Sequence, residues 1–112
     1  MGILKHDADT IQRLIEMYET DQCKTGYDYF WGAYYANWGY FVNHVNIWFK
    51  DHIYYIEHEK KLECKKNGSE DWEVLLEFQE RNLDAILDFK TPDGLTLNQI
   101  LKIISEQNVD GV

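Results

Sequence analysis

The chain has little of what chemistry usually needs. Its two cysteines, Cys23 and Cys64, fit no metal or redox spacing, so free thiols are expected and a surface disulfide finds no support. Cys64 lies among His58, Lys61, Lys65 and Lys66, charges that would lower a thiol's pKa, but a lone cysteine in such a segment reads as a bystander. The only serines, Ser69 and Ser105, have no Gly-x-Ser-x-Gly setting. Glycines are scattered singly and make no phosphate-binding loop. No apolar run approaches the eighteen or so residues of a membrane span, and Met1 to Asp9 lacks the core of a signal peptide. A soluble, cytoplasmic protein without cofactor and without enzymatic activity is expected. Bases are outnumbered 11 to 20 by acids, which disfavours direct contact with nucleic acid.

What is present is hydrophobic, aromatic and acidic. At 112 residues, 45% hydrophobic and 15% aromatic, the chain has material for one core and is read as a single domain, 1–112. The net charge of −9 is uneven: residues 1–50 hold six acids and four bases, residues 51–112 fourteen acids and seven bases.

Along the chain, Asp7 or Asp9 caps a first helix bearing Ile11, Leu14, Ile15 and Tyr18. Tyr27, Trp31, Tyr34, Trp38, Phe41, Val45 and Trp48 recur at steps of four and three, which predicts a long aromatic helix. Gly32, Ala36 and Gly39 leave a small-residue groove on it that would admit a neighbouring helix closely. Its surplus aromatics, Tyr35 and Tyr40 among them, would reach the surface as binding anchors. Residues 52–66 fit a helix or a hairpin. Thr91-Pro92-Asp93-Gly94 is a turn, followed by a capping box of Thr96 and Gln99 and a last helix with Leu97, Ile100, Leu101 and Ile104 inward. The expected architecture is all-α, an antiparallel bundle of four to five helices. The alternative is α+β, with short strands near 53–66 and 72–89.

Between Ser69 and Lys90 stand Glu73, Glu77, Glu80, Asp84 and Asp88, at steps of four, three, four and four. On a helix capped by Ser69 those steps align every carboxylate in one stripe, opposite Trp72, Leu75, Leu76, Leu83, Ile86 and Leu87. Like charges at that spacing cost roughly 0.2–0.5 kcal/mol per pair, so the stripe reads as a surface made to meet something basic. If the segment were strand, the stripe would split between two sheet faces.

The seven residues Asn82 to Asp88 resemble the start of the inhibitory helix of the barstar family, acidic intracellular ribonuclease inhibitors. The resemblance implies that Asp84 and Asp88 face the partner. The leading expectation is thus a small acidic inhibitor, of the immunity-protein, antitoxin or phage anti-defence type, that masks a basic and nucleic-acid-acting protein. Its partner-binding residues would be Glu73, Glu77, Glu80, Asp84, Asp88, Tyr35 and Tyr40. One alternative is a helical adaptor self-associating through the aromatic helix. The other is a small-ligand or metal-binding domain using His44, His52 or His58. No metal site is expected, because no histidine pair has ligand spacing and Glu57, His58 and Glu59, being consecutive, should diverge.

Overall fold

In the computed structural model, which describes residues 6–39 and 44–111, the chain forms an antiparallel sheet covered on one face by helices. The all-α expectation is therefore wrong: the architecture is α+β, with four helices and a five-stranded sheet. Helix α1 (Ala8–Glu19) starts at Asp7, whose carboxylate accepts from the Thr10 amide at 2.8 Å. Helix α2 (Gly26–Ala36) starts at Thr25, whose hydroxyl accepts from the Asp28 amide at 3.1 Å. The two helices touch at Gly32, where an added Cβ would stand 2.6 Å from the Leu14 carbonyl oxygen. The small-residue position thus admits α1 against α2.

The aromatic helix stops at Ala36, far short of Trp48. Residues 44–49 instead form strand β1 (His44–Phe49), and Val45 and Trp48 lie on opposite faces of it. Tyr, Trp, Phe and Val individually favour strands, and here that preference overrode the spacing of the aromatics. Strands β2 (His52–Glu57) and β3 (Lys61–Lys66) follow as antiparallel neighbours. Strand β4 (Glu73–Glu77) forms one edge, and β5 (Val109–Asp110) closes the other side against β1, in the order β4-β3-β2-β1-β5.

Alternation along the strands makes one face apolar: Val45, Ile47, Phe49, Tyr54, Ile56, Leu62 and Cys64 are buried with Leu14, Phe30 and Trp31 from the helices. Helices α3 (Leu83–Asp88) and α4 (Leu97–Ile103) complete the layer with Ile86, Leu87, Leu97, Ile100 and Leu101. The capping box at Thr96 and Gln99 is formed in both directions, at 3.1 and 2.9 Å. The turn at 91–94 closes with the Gly94 amide donating to the Thr91 carbonyl at 2.8 Å.

The acidic stripe does not exist as a helix face. Ser69 accepts from the Asp71 amide in a turn and caps no helix. Residues 73–77 are strand, 78–82 connect, and only Leu83–Asp88 is helical. Register pairs Glu73 with Cys64 on the covered side of the sheet and Glu77 with Lys61 on the open side. A bulge at Leu75 shifts the register between them. Helical phase was present in the acids, but the run Val74-Leu75-Leu76 pairs with β3 and packs a half-buried Leu76 against the core.

Candidate functional site

Among the described residues, the helices leave the other face of the sheet uncovered. Side chains that alternate away from the core bring two rows across it: Asn46, Tyr55, Glu63 and Val74 in one, Trp48, Ile53 and Lys65 in the next. Trp72, just before β4, lies over this surface, with its ring 5.4 Å from Tyr55 and the Lys65 ammonium 5.0 Å from its centroid. Val74 is 50% and Trp72 41% exposed.

Charge on this face is unequal in its availability. Lys61 bridges Glu57 at 3.3 Å and Glu63 at 3.5 Å, and its hydrogen bond to Glu57 holds it above its ordinary pKa. Lys65 sits on Trp72. Glu77, which stands opposite Lys61 in register at the β4 edge of this face, forms no ion pair among the described residues. Lys61 and Lys65 are therefore engaged within the face, while Glu77 has no ion-pair partner among the described residues.

One corner of the face gathers donors. His44 stands directly opposite Glu57 across β1 and β2. His58 follows Glu57, and an extended residue there would point its side chain to the opposite side of the sheet. Instead His58 has φ 52° and Glu59 φ 59°, two consecutive left-handed residues that turn the chain sharply. His58 thereby rejoins the His44 side: the rings are 5.3 Å apart, and one donor atom from each of His44, Glu57 and His58 falls within 4.8 Å of the others. The expected divergence thus fails for Glu57 and His58, whereas Glu59 does turn away, into the interior. The conformation costs on the order of 1 kcal/mol per residue.

That turn is clamped from below. Glu59 is 2% exposed and meets Arg81 at 3.6 Å. The Asn82 amide donates to the Glu59 carbonyl at 2.8 Å, and the Phe78 amide to the Lys60 carbonyl at 2.8 Å. The 78–82 connection holds the histidine corner in place.

The remaining expected residues lie elsewhere. Glu80 is exposed in the β4–α3 connection; Asp84 and Asp88 lie on α3. Asn82 caps that helix, its side chain accepting from the Ala85 amide at 3.3 Å. Tyr35 is engaged: it stacks on Trp31 at 5.8 Å, bonds His6 through its hydroxyl, and burial pushes its pKa to about 12. Tyr40 lies outside the described residues. The five acids thus share no single surface.

A second polar group is catalytic in appearance only. Asp93 Oδ2 accepts from Tyr54 at 2.6 Å and contacts His52 Nδ1 at 3.0 Å, near Cys64. The Cys64 thiol is 4% exposed, and burial raises its pKa to about 11 with Asp93 and Glu73 adding to the rise, the opposite of an activated thiol. His52 is committed to Asp93, away from His44 and His58.

Sequence reasoning missed Trp48, Ile53, Tyr55 and Trp72 as one surface, because it placed Trp48 and Trp72 on helices. The alternation Ile53, Tyr55, Glu57 was the available signal. No helix among the described residues is long and apolar enough to cross a membrane. Comparison of the chain with family models, with curated proteins and with solved structures finds no match.

Proposed function

We propose that the chain is a protein-binding module whose open sheet face docks on a basic protein surface. The observation that carries this reading is the face itself: Trp48, Ile53, Tyr55, Trp72 and Val74 lie under no helix among the described residues, and Glu77 at its edge forms no ion pair among them. Aromatic side chains of this kind supply most of the energy at protein interfaces, whereas surrounding charges set encounter rate and choice of partner. Charge complementarity selects the occupant. A net charge of −9, with the face's own lysines already engaged, favours a partner rich in Arg and Lys around an apolar patch.

A protein that acts on nucleic acid carries such a surface, and covering it would inhibit it. This keeps the inhibitor reading and moves its contact from a helix stripe to the sheet. Asp84 and Asp88, on a short helix apart from the aromatics of the face, contribute to long-range steering rather than to the contact. The free thiols of Cys23 and Cys64 suit a cytoplasmic setting.

Selection of random twelve-residue peptides displayed on phage tests the chemistry of the face. Wild-type protein should enrich peptides combining Arg or Lys with aromatic residues. A Tyr55→Ala/Trp72→Ala variant should lose that enrichment while keeping its circular dichroism spectrum. Enrichment of neutral or acidic peptides, or enrichment that survives the double substitution, would contradict the proposal.

A further inference from the structure

We propose that His44, Glu57 and His58 form a binding site for one divalent transition-metal ion of the zinc class. The juxtaposition follows from two independent features of the backbone. Antiparallel register sets His44 against Glu57, and directly opposed residues of a ladder carry their Cβ atoms about 4.5–5.5 Å apart. The left-handed conformations at His58 and Glu59 then return His58 to the same side. A donor atom from each of the three side chains lies within 4.8 Å of the other two.

Around a tetrahedral ion at about 2.0–2.2 Å, neighbouring donors stand about 3.4 Å apart. The three side chains therefore need to close by little more than 1 Å at most, a movement that rotation about side-chain torsions supplies without displacing the strands. Their chemistry selects the ion. Two imidazoles and one carboxylate are the ligand set of zinc and its neighbours, whereas magnesium and calcium take oxygen donors. Lys61 contacts Oε1 of Glu57, and a carboxylate has two oxygens, so the ion pair and a metal bond can share this side chain. His44 and His58 are exposed, so the fourth position opens to solvent and accepts a water or a side chain from a docked protein.

The clamp beneath the turn is part of the same device. Glu59, buried against Arg81, and the Asn82 amide on the Glu59 carbonyl fix the backbone that delivers His58. Glu59 and Arg81 are thus positioning residues for the ion. This site stands independently of the docking role, whose surface is mapped with chelator present.

Isothermal titration of chelator-treated protein with zinc chloride tests the proposal. One zinc per chain is expected, with a cobalt(II) absorption spectrum of low-coordinate type and no response to magnesium. His44→Ala and His58→Asn should each weaken zinc at least about tenfold, a fold-change of the size that loss of even supporting groups produces. Asparagine tolerates the left-handed conformation at position 58, so that variant keeps the turn. His52→Ala should bind zinc as wild type does. In nuclear magnetic resonance spectra zinc should move the ring signals of His44 and His58 and leave those of His52 in place. Absence of stoichiometric binding would overturn the proposal. So would zinc affinity that survives both His44→Ala and His58→Asn, or that is lost in Cys64→Ser.

Discussion

Glu59 and Arg81 meet at 3.6 Å with unequal burial: the carboxylate side chain is 3% exposed and the guanidinium partner 43%. The pair ties the β2–β3 turn to the connection leading into α3, and it keeps two left-handed residues in place. Arg81→Ala removes the cation and leaves its carboxylate in the interior. A loss of about 1–3 kcal/mol is expected in urea unfolding, below the cost of breaking a fully buried pair because Arg81 is partly solvated. Zinc affinity should fall with it. Wild-type stability in this variant would show that the turn does not depend on this ion pair.

Gly32→Ala tests the α1–α2 contact. The new methyl would stand 2.6 Å from the Leu14 carbonyl oxygen and 2.7 Å from Tyr18 Cβ, distances at which something must move. Helix propensity alone would favour alanine by about 1 kcal/mol. Overpacking against rigid backbone outweighs it, so a net destabilisation of about 1–3 kcal/mol is expected by thermal or urea unfolding. A stabilised variant would mean that α1 sits farther from α2.

Thr96→Ala removes one half of a reciprocal cap, the 3.1 Å bond from the Gln99 amide to the Thr96 hydroxyl. About 1 kcal/mol of stability should be lost. Thr96→Ser should retain most of it.

His6 gives the fold a pH dependence of defined sign. Its Nε2 lies 2.6 Å from the Tyr27 hydroxyl and its Nδ1 bonds Tyr35, with Trp31 alongside. Burial, the largest influence, lowers its pKa below 6.5. The folded state then binds fewer protons than the unfolded state between the lowered value and 6.5. This contribution to stability is full above 6.5 and is lost as pH falls through the folded pKa. Urea midpoints of wild type and His6→Gln, measured from pH 7.5 to about pH 5, should differ in slope, the wild type losing more on acidification. Parallel curves would remove His6 from the account.

How much of this was legible in the sequence depends on which signals competed. Caps were readable because they are local: Asp7, Thr96 with Gln99, and the 91–94 turn all stand where their residue types placed them. Gly32 as a point of close helix approach was readable for the same reason. The sheet was not, because two segments carried helical phase by coincidence. Trp38, Val45 and Trp48 keep a helical rhythm, yet Trp38 is 96% exposed after α2 and the other two lie on opposite sheet faces. The acids from Glu73 to Asp88 keep it too, across a strand, a connection and a short helix. Pairing with the neighbouring strand of the meander decided both, and a segment read alone does not display its partner. The histidine corner was hidden for a different reason. Consecutive residues diverge in a strand, and only the positive φ of His58, held in place by Glu59, Arg81 and Asn82, reverses that rule.

The central claim, that the open sheet face is the docking surface, is tested most directly by mapping where a basic ligand lands. An isotope-labelled sample titrated with an Arg- and Trp-containing peptide from the display selection, in the presence of chelator, supplies the map. The account predicts shifts concentrated at Trp48, Ile53, Tyr55, Trp72 and Val74, weakening as salt is raised. Shifts concentrated instead at Asp84 and Asp88, or around Tyr35 on α2, would contradict it.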